Sequence, residues 1–581
     1  MKPIFSIKNP DILFRLVPIL LAFCCFINTL NYGFVTDDFY LVLKAVPVLK
    51  DWSFANIKDL FVSDFWSFMT KHLSQGDRHG SAYYRPVVAL FFMSSYIIAD
   101  VSIWKWHLIS ILLHLLAVGL VYQLILFSLQ KLNLVSEESH KYWLALIASS
   151  VFAIHPFQSE SVAWTTGACA TSLVMILSSV TLLAYLKTRE FSLKSKGFIV
   201  WLLISSFFYT LAVFAKEVSL FIALALFCYE VMLLDQTLEL STRLKRAFIG
   251  AIPFVLITCG YLLIRILVFG AIVPQLGFTD TPEFQASARP SAIFTLPTII
   301  LIYLKNFIFP FFLAPMYPIK YVYSPGLWDF YLPAVLVIVF LLLVAFLAWR
   351  SLILRLAAIW LVLPILPSLN LSAFGPEGLV QDRYFYFSLI GGGIFLGQAF
   401  LLLNNWLVKS KNLNTQEPSF KMLSSTIAIM LAILAILMVT TITQNNIWKD
   451  EWEYFSACKR SCPDSCYANL ELARLSVEKQ AYSQAISYYE DAKINCPNAA
   501  RLYKYLGVLY GQTGNLTKAE EAFHQLVKVS KSSNDKAEGY FNLGLVYEQR
   551  GDKLQATTFY QQALNFNPKL EKASQALRDL Q

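Results

Sequence analysis

Residues 16–38 read LVPILLAFCCFINTLNYGFVTDD, an uncharged apolar run that ends in two adjacent aspartates. Lys2, Lys8 and Arg15 precede the run, no small-residue cleavage pattern follows it, and similar hydrophobicity returns many times downstream. The run is therefore a retained first membrane helix rather than a removed signal peptide. A crossing needs about twenty apolar residues. Further runs of that kind lie at about 104–128, 142–156, 168–186, 198–214, 218–234, 247–268, 331–349, 354–371, 384–403 and 422–443, which makes eleven spans. They are continuous and Leu-rich, whereas a membrane barrel would show short strands of alternating polarity. The fold class that follows is all-α, a polytopic helical membrane protein.

Composition agrees. Of 581 residues 57% are hydrophobic and only 15% charged, with a mean hydropathy of +0.54, against a charged share of about 25% in soluble domains. The net charge of +9 is no nucleic-acid surface, because most of its lysines and arginines sit in short loops between spans rather than on one face. Lys187, Arg189, Lys194 and Lys196 form one cluster, Arg243, Lys245 and Arg246 a second, Arg350 and Arg355 a third, and Lys409, Lys411 and Lys421 a fourth. All four fall on the cytoplasmic side if the first helix runs outward, as the positive-inside rule requires. Parity then makes the apolar segments 86–98 and 293–312 interfacial or re-entrant helices. The loops at 33–85, 155–167, 215–217, 269–330 and 372–383 face outward, and so does the tail after Val439.

From about Asp450 the chain turns polar and periodic. Ala473, Gly507 and Gly544 are equivalent, as are Ala485, Ala519 and Ala556, and Tyr489, Phe523 and Tyr560, with Pro497 and Pro568 closing their units. The intervals are 34 and 37 residues, the tetratricopeptide period with one short insertion. Residues 1–444 thus form a transmembrane domain, and 445–581 form an α-solenoid of three repeats plus a closing helix. Tyr503, Tyr510, Tyr540 and Tyr547 recur on the first helices of the last two repeats, the face that ordinarily lines the concave groove, and are candidates for contact with a protein acceptor. Cys458, Cys462, Cys466 and Cys496 are expected as disulfides in an oxidising compartment, with a zinc site or free thiols as alternatives.

The outward loops hold the polar residues that carry chemistry. Asp37 and Asp38 crowd two carboxylates at the bilayer surface, where one can serve as a general base, or both simply solvate a helix end. His155 and Glu160 lie in HPFQSE, residues 155–160, and either belong to a site or cap a tight hairpin. Lys216-Glu217 either neutralises itself or offers an ammonium to a phosphate. Arg85, Arg265, Arg383 and Tyr384 add cations and a hydroxyl at the same face, which suits an anionic lipid-linked ligand.

Asp37-Asp38, Tyr83-Tyr84-Arg85-Pro86, His155-Pro156 with Glu160 and Ala163-Trp164, Ala215-Lys216-Glu217 and Asp382-Arg383-Tyr384 occur in the order seen in membrane glycosyltransferases of the GT-C superfamily. With its repeats, the chain most resembles the tetratricopeptide-bearing protein O-mannosyltransferase-like group. The resemblance implies a hexosyltransferase that moves a sugar, such as mannose, from a polyprenyl-phosphate donor to protein hydroxyls on the exoplasmic face. It casts Asp37 or Asp38 as base, and Lys216, Arg265, Arg383 and Arg85 as phosphate ligands, with His155, Glu160, Glu217 and Tyr384 at the donor site. Relatives carry an arginine shortly after the His-Pro loop, where this chain reads Gly167-Ala168-Cys169-Ala170. No cofactor is required by the sequence. Some superfamily members use a divalent metal, but only the two adjacent carboxylates offer ligands here. Expected partners are the lipid-linked sugar, a protein acceptor on the repeats and membrane lipids, with no nucleic acid. A bacterial inner membrane with a periplasmic site is the expected location; in an endoplasmic reticulum the site would be lumenal and Asn515-Leu516-Thr517 a sequon. The competing readings are a flippase of lipid-linked sugars, which lacks the expected matching halves, and a membrane-anchored repeat scaffold.

Overall fold

The computed structural model describes residues 10–73, 83–131, 138–192, 195–234, 236–271, 282–369, 378–410 and 422–580. Lys2, Lys8, Lys194, Lys411 and Lys421 lie outside them. The chain divides into two compact units, Met1–Glu451 and Trp452–Gln581.

Among the described residues of the first unit, nine helices are long and apolar enough to cross a membrane. Two of the eleven expected spans fall short of that length. Glu138–Ile154 has 17 residues, roughly 25 Å of helix. The stretch 217–233 is broken into a 3-10 turn at Glu217–Leu220, an α-helix at Phe221–Cys228 and a π-turn at Tyr229–Leu233. Arg243 and Arg355 donate to the carbonyls of Val231 and Met232, which closes that end early. The segments expected at the interface are the shorter apolar helices Pro86–Ala99 and Ile293–Ile308.

Burial sorts these helices into core and rim. In its most apolar window Thr165–Glu190 is 78% buried, whereas Leu240–Phe269 and Leu327–Arg350 are only 17% buried. The rim helices therefore offer leucines and phenylalanines to lipid tails, where there is no hydrophobic gain in hiding them. Within the core, Ser388–Ser410 is pressed between two other helices through glycine. A Cβ on Gly391 would come within 2.4 Å of the Ala357 carbonyl oxygen, and one on Gly393 within 2.6 Å of that of Ala148. This approach ties Ser388–Ser410 to Glu138–Ile154 and Leu352–Val362, and it sets the loop after Ile154 beside the loop before Ser388. The unit runs on past residue 444 because its last turns are used: the Asn445 amide donates to the Cys25 carbonyl (2.8 Å), Gly33 N–H donates to the Lys449 carbonyl (2.7 Å), and Trp448 stacks on Trp164.

The second unit stacks three helix pairs, Cys466–Glu478 with Tyr482–Asn495, Ala500–Gln512 with Leu516–Val529, and Ser533–Gln549 with Lys553–Phe566, closed by Glu571–Leu580. The small residues of the period sit under its aromatics: a Cβ on Gly507 would meet the Phe523 ring at 2.6 Å, and one on Gly544 the Tyr560 ring at 2.3 Å. Each pair turns through a left-handed residue, Gln480 (φ 60°), Gly514 (φ 79°) and Gly551 (φ 82°), and only the first lacks the glycine that such a turn favours.

Cys466 and Cys496 are bridged, joining the start of the first repeat's leading helix to the end of its second. Closing a loop of 30 residues is worth about 3–4 kcal/mol by chain entropy. Cys466 and Cys496 are expected to resist alkylation in the purified chain until it is reduced. Peptide mapping checks this, and labelling before reduction would refute the bridge.

Candidate active site

The first span ends in a 3-10 turn, Ile27–Asn31, and the chain then bends through Thr36 in the left-handed region (φ 48°). A β-branched residue there is strained by about 1–3 kcal/mol. The bend delivers both acids to the start of the core helix Thr165–Lys187. Asp38 is fully buried. Its Oδ1 accepts the Thr166 backbone N–H (2.9 Å) and hydroxyl (2.6 Å), and its Oδ2 accepts Val35 N–H (3.2 Å). The carboxylate thus caps the positive end of a 23-residue helix. Burial nonetheless pushes it up to about 7, against the hydrogen bonds from Thr166 and Val35 and with help from Asp37. Asp37 is half-buried and accepts no hydrogen bond among the described residues. Burial pushes its carboxyl up to about 6, held back by Arg383.

The cations arrive from three other loops. Arg85, just before the helix Pro86–Ala99, lies over the Tyr83 ring at 3.9 Å and grips Glu217 with two bonds, Nε to Oε2 (3.2 Å) and Nη2 to Oε1 (2.8 Å). Arg383 pairs with Glu160 through its guanidinium and donates its backbone N–H to the same carboxylate at 2.9 Å. Its other faces meet Trp164 at 4.7 Å and Tyr384 at 5.3 Å. Lys216 is buried, with its ammonium on the Thr171 hydroxyl at 3.1 Å. Burial, then Arg85 and Arg383, push it down to about 7, while Glu217 and Glu160 pull the other way. Arg265 is buried against Tyr261 and Phe269 and acts electrostatically on Glu217. Asp37, Asp38, Arg85, Glu160, Lys216, Glu217, Arg265, Arg383 and Tyr384 therefore share one constellation, in which each paired carboxylate fixes an arginine.

His155 is the exception. Its Nε2 lies 3.1 Å from the Phe307 carbonyl and its Nδ1 accepts the Phe157 N–H at 3.2 Å, with the ring stacked on Phe307. A carbonyl only accepts, so Nε2 carries the proton and the ring is a neutral staple with no nitrogen left for phosphate or sugar. In the repeats, Tyr503 and Tyr510 also depart from expectation. Both are buried in the repeat core, with hydroxyls on the Pro497 carbonyl (2.8 Å) and Glu490 (2.7 Å). They pack rather than line a surface, because the first helix of each pair turns them inward. Tyr540 and Tyr547 are only half-buried, though Tyr547 donates to Glu520 at 2.5 Å.

Sequence reasoning missed Thr166, Thr171 and Tyr317, whose hydroxyl donates to Asp382 at 2.6 Å. A threonine opening an apolar helix is the signal that was there for Thr166. A small cleft beside Glu160 and Asp382 is lined as well by Pro156, Ser159, Gln444 and Trp448. Among the described residues no group of three or more His, Cys, Asp or Glu gathers to hold a metal ion.

A tetratricopeptide-repeat family model matches residues 498–569. Human protein O-mannosyl-transferase TMTC3 is 27% identical over 49% of this chain and 30% of its own length. Human TMTC2 is 29% identical over 32% and 20%, and Drosophila melanogaster Tmtc1 is 34% identical over 29% and 17%. The chain thus spans a third or less of the length of these relatives. A solved structure of the oligosaccharyltransferase of Archaeoglobus fulgidus tethered to an acceptor peptide aligns at 14% identity with a TM-score of 0.43, over 82% of this chain and 59% of that one. By sequence, this helical membrane chain is similar to the TMTC protein O-mannosyl-transferases and, like a tetratricopeptide protein, ends in stacked helix pairs.

Proposed function

We propose that the chain is a membrane glycosyltransferase that moves a hexose, in the first instance mannose, from a polyprenyl-phosphate donor to hydroxyl groups of a protein on the exoplasmic face. The observation that carries this is the convergence of Asp37, a carboxylate that accepts no hydrogen bond among the described residues, with Arg85, Lys216 and Arg383 from separate loops. Asp37 takes the proton of the acceptor hydroxyl, whose oxygen attacks the anomeric carbon. The bond from that carbon to the phosphate oxygen breaks, its electron pair leaves on the lipid phosphate, and a single displacement inverts the centre. Arg85, Lys216 and Arg383, with Arg265 behind them, stabilise the charge that develops on the leaving phosphate. Glu160 and Glu217 aim the arginines. Both Asp38 oxygens already accept protein donors, so we read the reaction as independent of a resident metal, and chelation is expected to leave turnover intact.

The names of the relatives support transfer to protein, and the Cys466–Cys496 bridge supports an oxidising compartment. A bacterial periplasm is the first choice of compartment and an endoplasmic reticulum lumen the second. Comparative glycoproteomics of cells with and without the gene, with lipid-linked sugars measured in parallel, tests the reading. Loss of a protein glycan with accumulation of donor is the expected result. A donor trapped on the wrong leaflet would instead make the chain a flippase.

The repeats are proposed to hold the acceptor, with Tyr540 and Tyr547 as the candidate contacts. Deleting residues 452–581 should spare donor hydrolysis but lower transfer to a full protein more than to a short peptide, because remote docking orients the reacting hydroxyl. Equal loss for both acceptors in kinetic assays would leave the repeats a purely structural part.

A further inference from the structure

The helix Ile103–Lys131 carries two fully buried histidines, His107 and His114, seven residues apart on one face. His107 Nε2 lies 3.3 Å from the Gly33 carbonyl, and the Thr165 hydroxyl lies 3.2 Å from its Nδ1. The carbonyl requires the proton on Nε2, which leaves Nδ1 to accept from Thr165. His107 therefore ties the loop that bears Asp37 and Asp38 to the first residue of the helix whose second residue, Thr166, donates twice to Asp38. His114 uses the same tautomer elsewhere: its Nε2 lies 3.1 Å from the Ala153 carbonyl and its Nδ1 3.0 Å from the Tyr386 hydroxyl, just beyond Arg383.

We propose that His107 is a positioning residue for the acid pair: it fixes the distance between the Gly33–Asp38 loop and the start of Thr165–Lys187, and through Thr166 sets how readily the carboxylates hold their charge. This rests on the proposed function for its catalytic meaning, but its physical content does not. The charged and titratable groups around the pair are Arg383 and Tyr83 facing Asp37, and Cys169 facing Asp38; none of them is touched by the changes below. Loosening the loop weakens the Thr166 and Val35 donors to Asp38, which favour its ionised form, so the carboxyl titration should move up.

The test uses the full chain in nanodiscs and infrared titration of the carboxyl bands, identified as those lost in Asp37→Asn and Asp38→Asn. His107→Leu should raise their midpoint by about one pH unit or more. His107→Gln, whose amide can donate to Gly33 and accept from Thr165, should restore most of the wild-type value. His114→Leu, which loosens a different pair of loops, should leave it in place. If His107→Leu does not fold, Thr165→Val decides the matter, since it removes only the hydroxyl from Nδ1 and should shift the midpoint the same way. An unmoved midpoint in the folded His107→Leu or Thr165→Val protein overturns the inference, and so does an equal shift in His114→Leu. No donor or acceptor enters the readout. A wild-type chain that transfers no sugar would sink the proposed function and leave this result standing.

Discussion

Asp37→Asn is expected to abolish transfer while leaving the protein folded, with a loss of about 10²–10⁴ in turnover, the usual share of a positioned general base. Asp37 is the stronger candidate of the two acids because its oxygens accept no hydrogen bond among the described residues, whereas those of Asp38 accept Thr166 and Val35. Asp38→Asn replaces an acceptor by an amide that can still accept on one side. It should cost stability and some activity, with the pH dependence retained. The pH profile is the sharper check. With the Asp37 carboxyl near 6, the base is ionised above that pH and is lost as pH falls through it. With the Lys216 ammonium near 7, a phosphate-binding cation is present below that pH and is lost as pH rises. kcat/KM should therefore be bell-shaped, and Asp37→Asn should remove the acid limb. A flat acid limb in the wild type, or full activity in Asp37→Asn, would place the base elsewhere.

Arg383→Met is expected to injure two properties that a second substitution can separate. The guanidinium is paired with a Glu160 carboxylate that is only 7% exposed. Removing one member of such a pair strands the other, at a cost of about 3–5 kcal/mol. Glu160→Gln added to Arg383→Met removes the stranded charge and should recover most of the thermal stability. It should not recover affinity for undecaprenyl phosphate, because the cation itself is gone. Recovery of both by the double substitution would show that Arg383 serves only the fold. Failure to recover either would point to the aromatic faces of Trp164 and Tyr384, on which the guanidinium rests.

Which parts were legible follows from the kind of signal each leaves. Apolar runs and the 34-residue period are local, and the structure places helices over them. The stretch 217–233 differs because a hydropathy window does not register a π-turn or arginines that close a helix end. Paired acids and loop arginines announced a site, but not who holds whom. His155 stood out in sequence because it lies in a polar loop, and in space both of its nitrogens are spent on backbone. His107, inside an apolar helix, drew no notice, yet it reaches the loop of the acids.

Hydrophobicity, period and loop charge are summed along the chain, and they alone read as a helical membrane protein with a repeat tail whose acids and cations recur in the loops between spans. That Arg85 takes Glu217, that Arg383 takes Glu160, and that Asp38 is consumed by Thr166 while Asp37 accepts no hydrogen bond among the described residues emerges only once the helices pack. These pairings join residues more than a hundred positions apart. They depend on how closely helices approach, which here is set by glycines such as Gly391 and Gly393 against neighbouring backbone. A contact of that kind is a property of two surfaces at once, and no single stretch of sequence carries it.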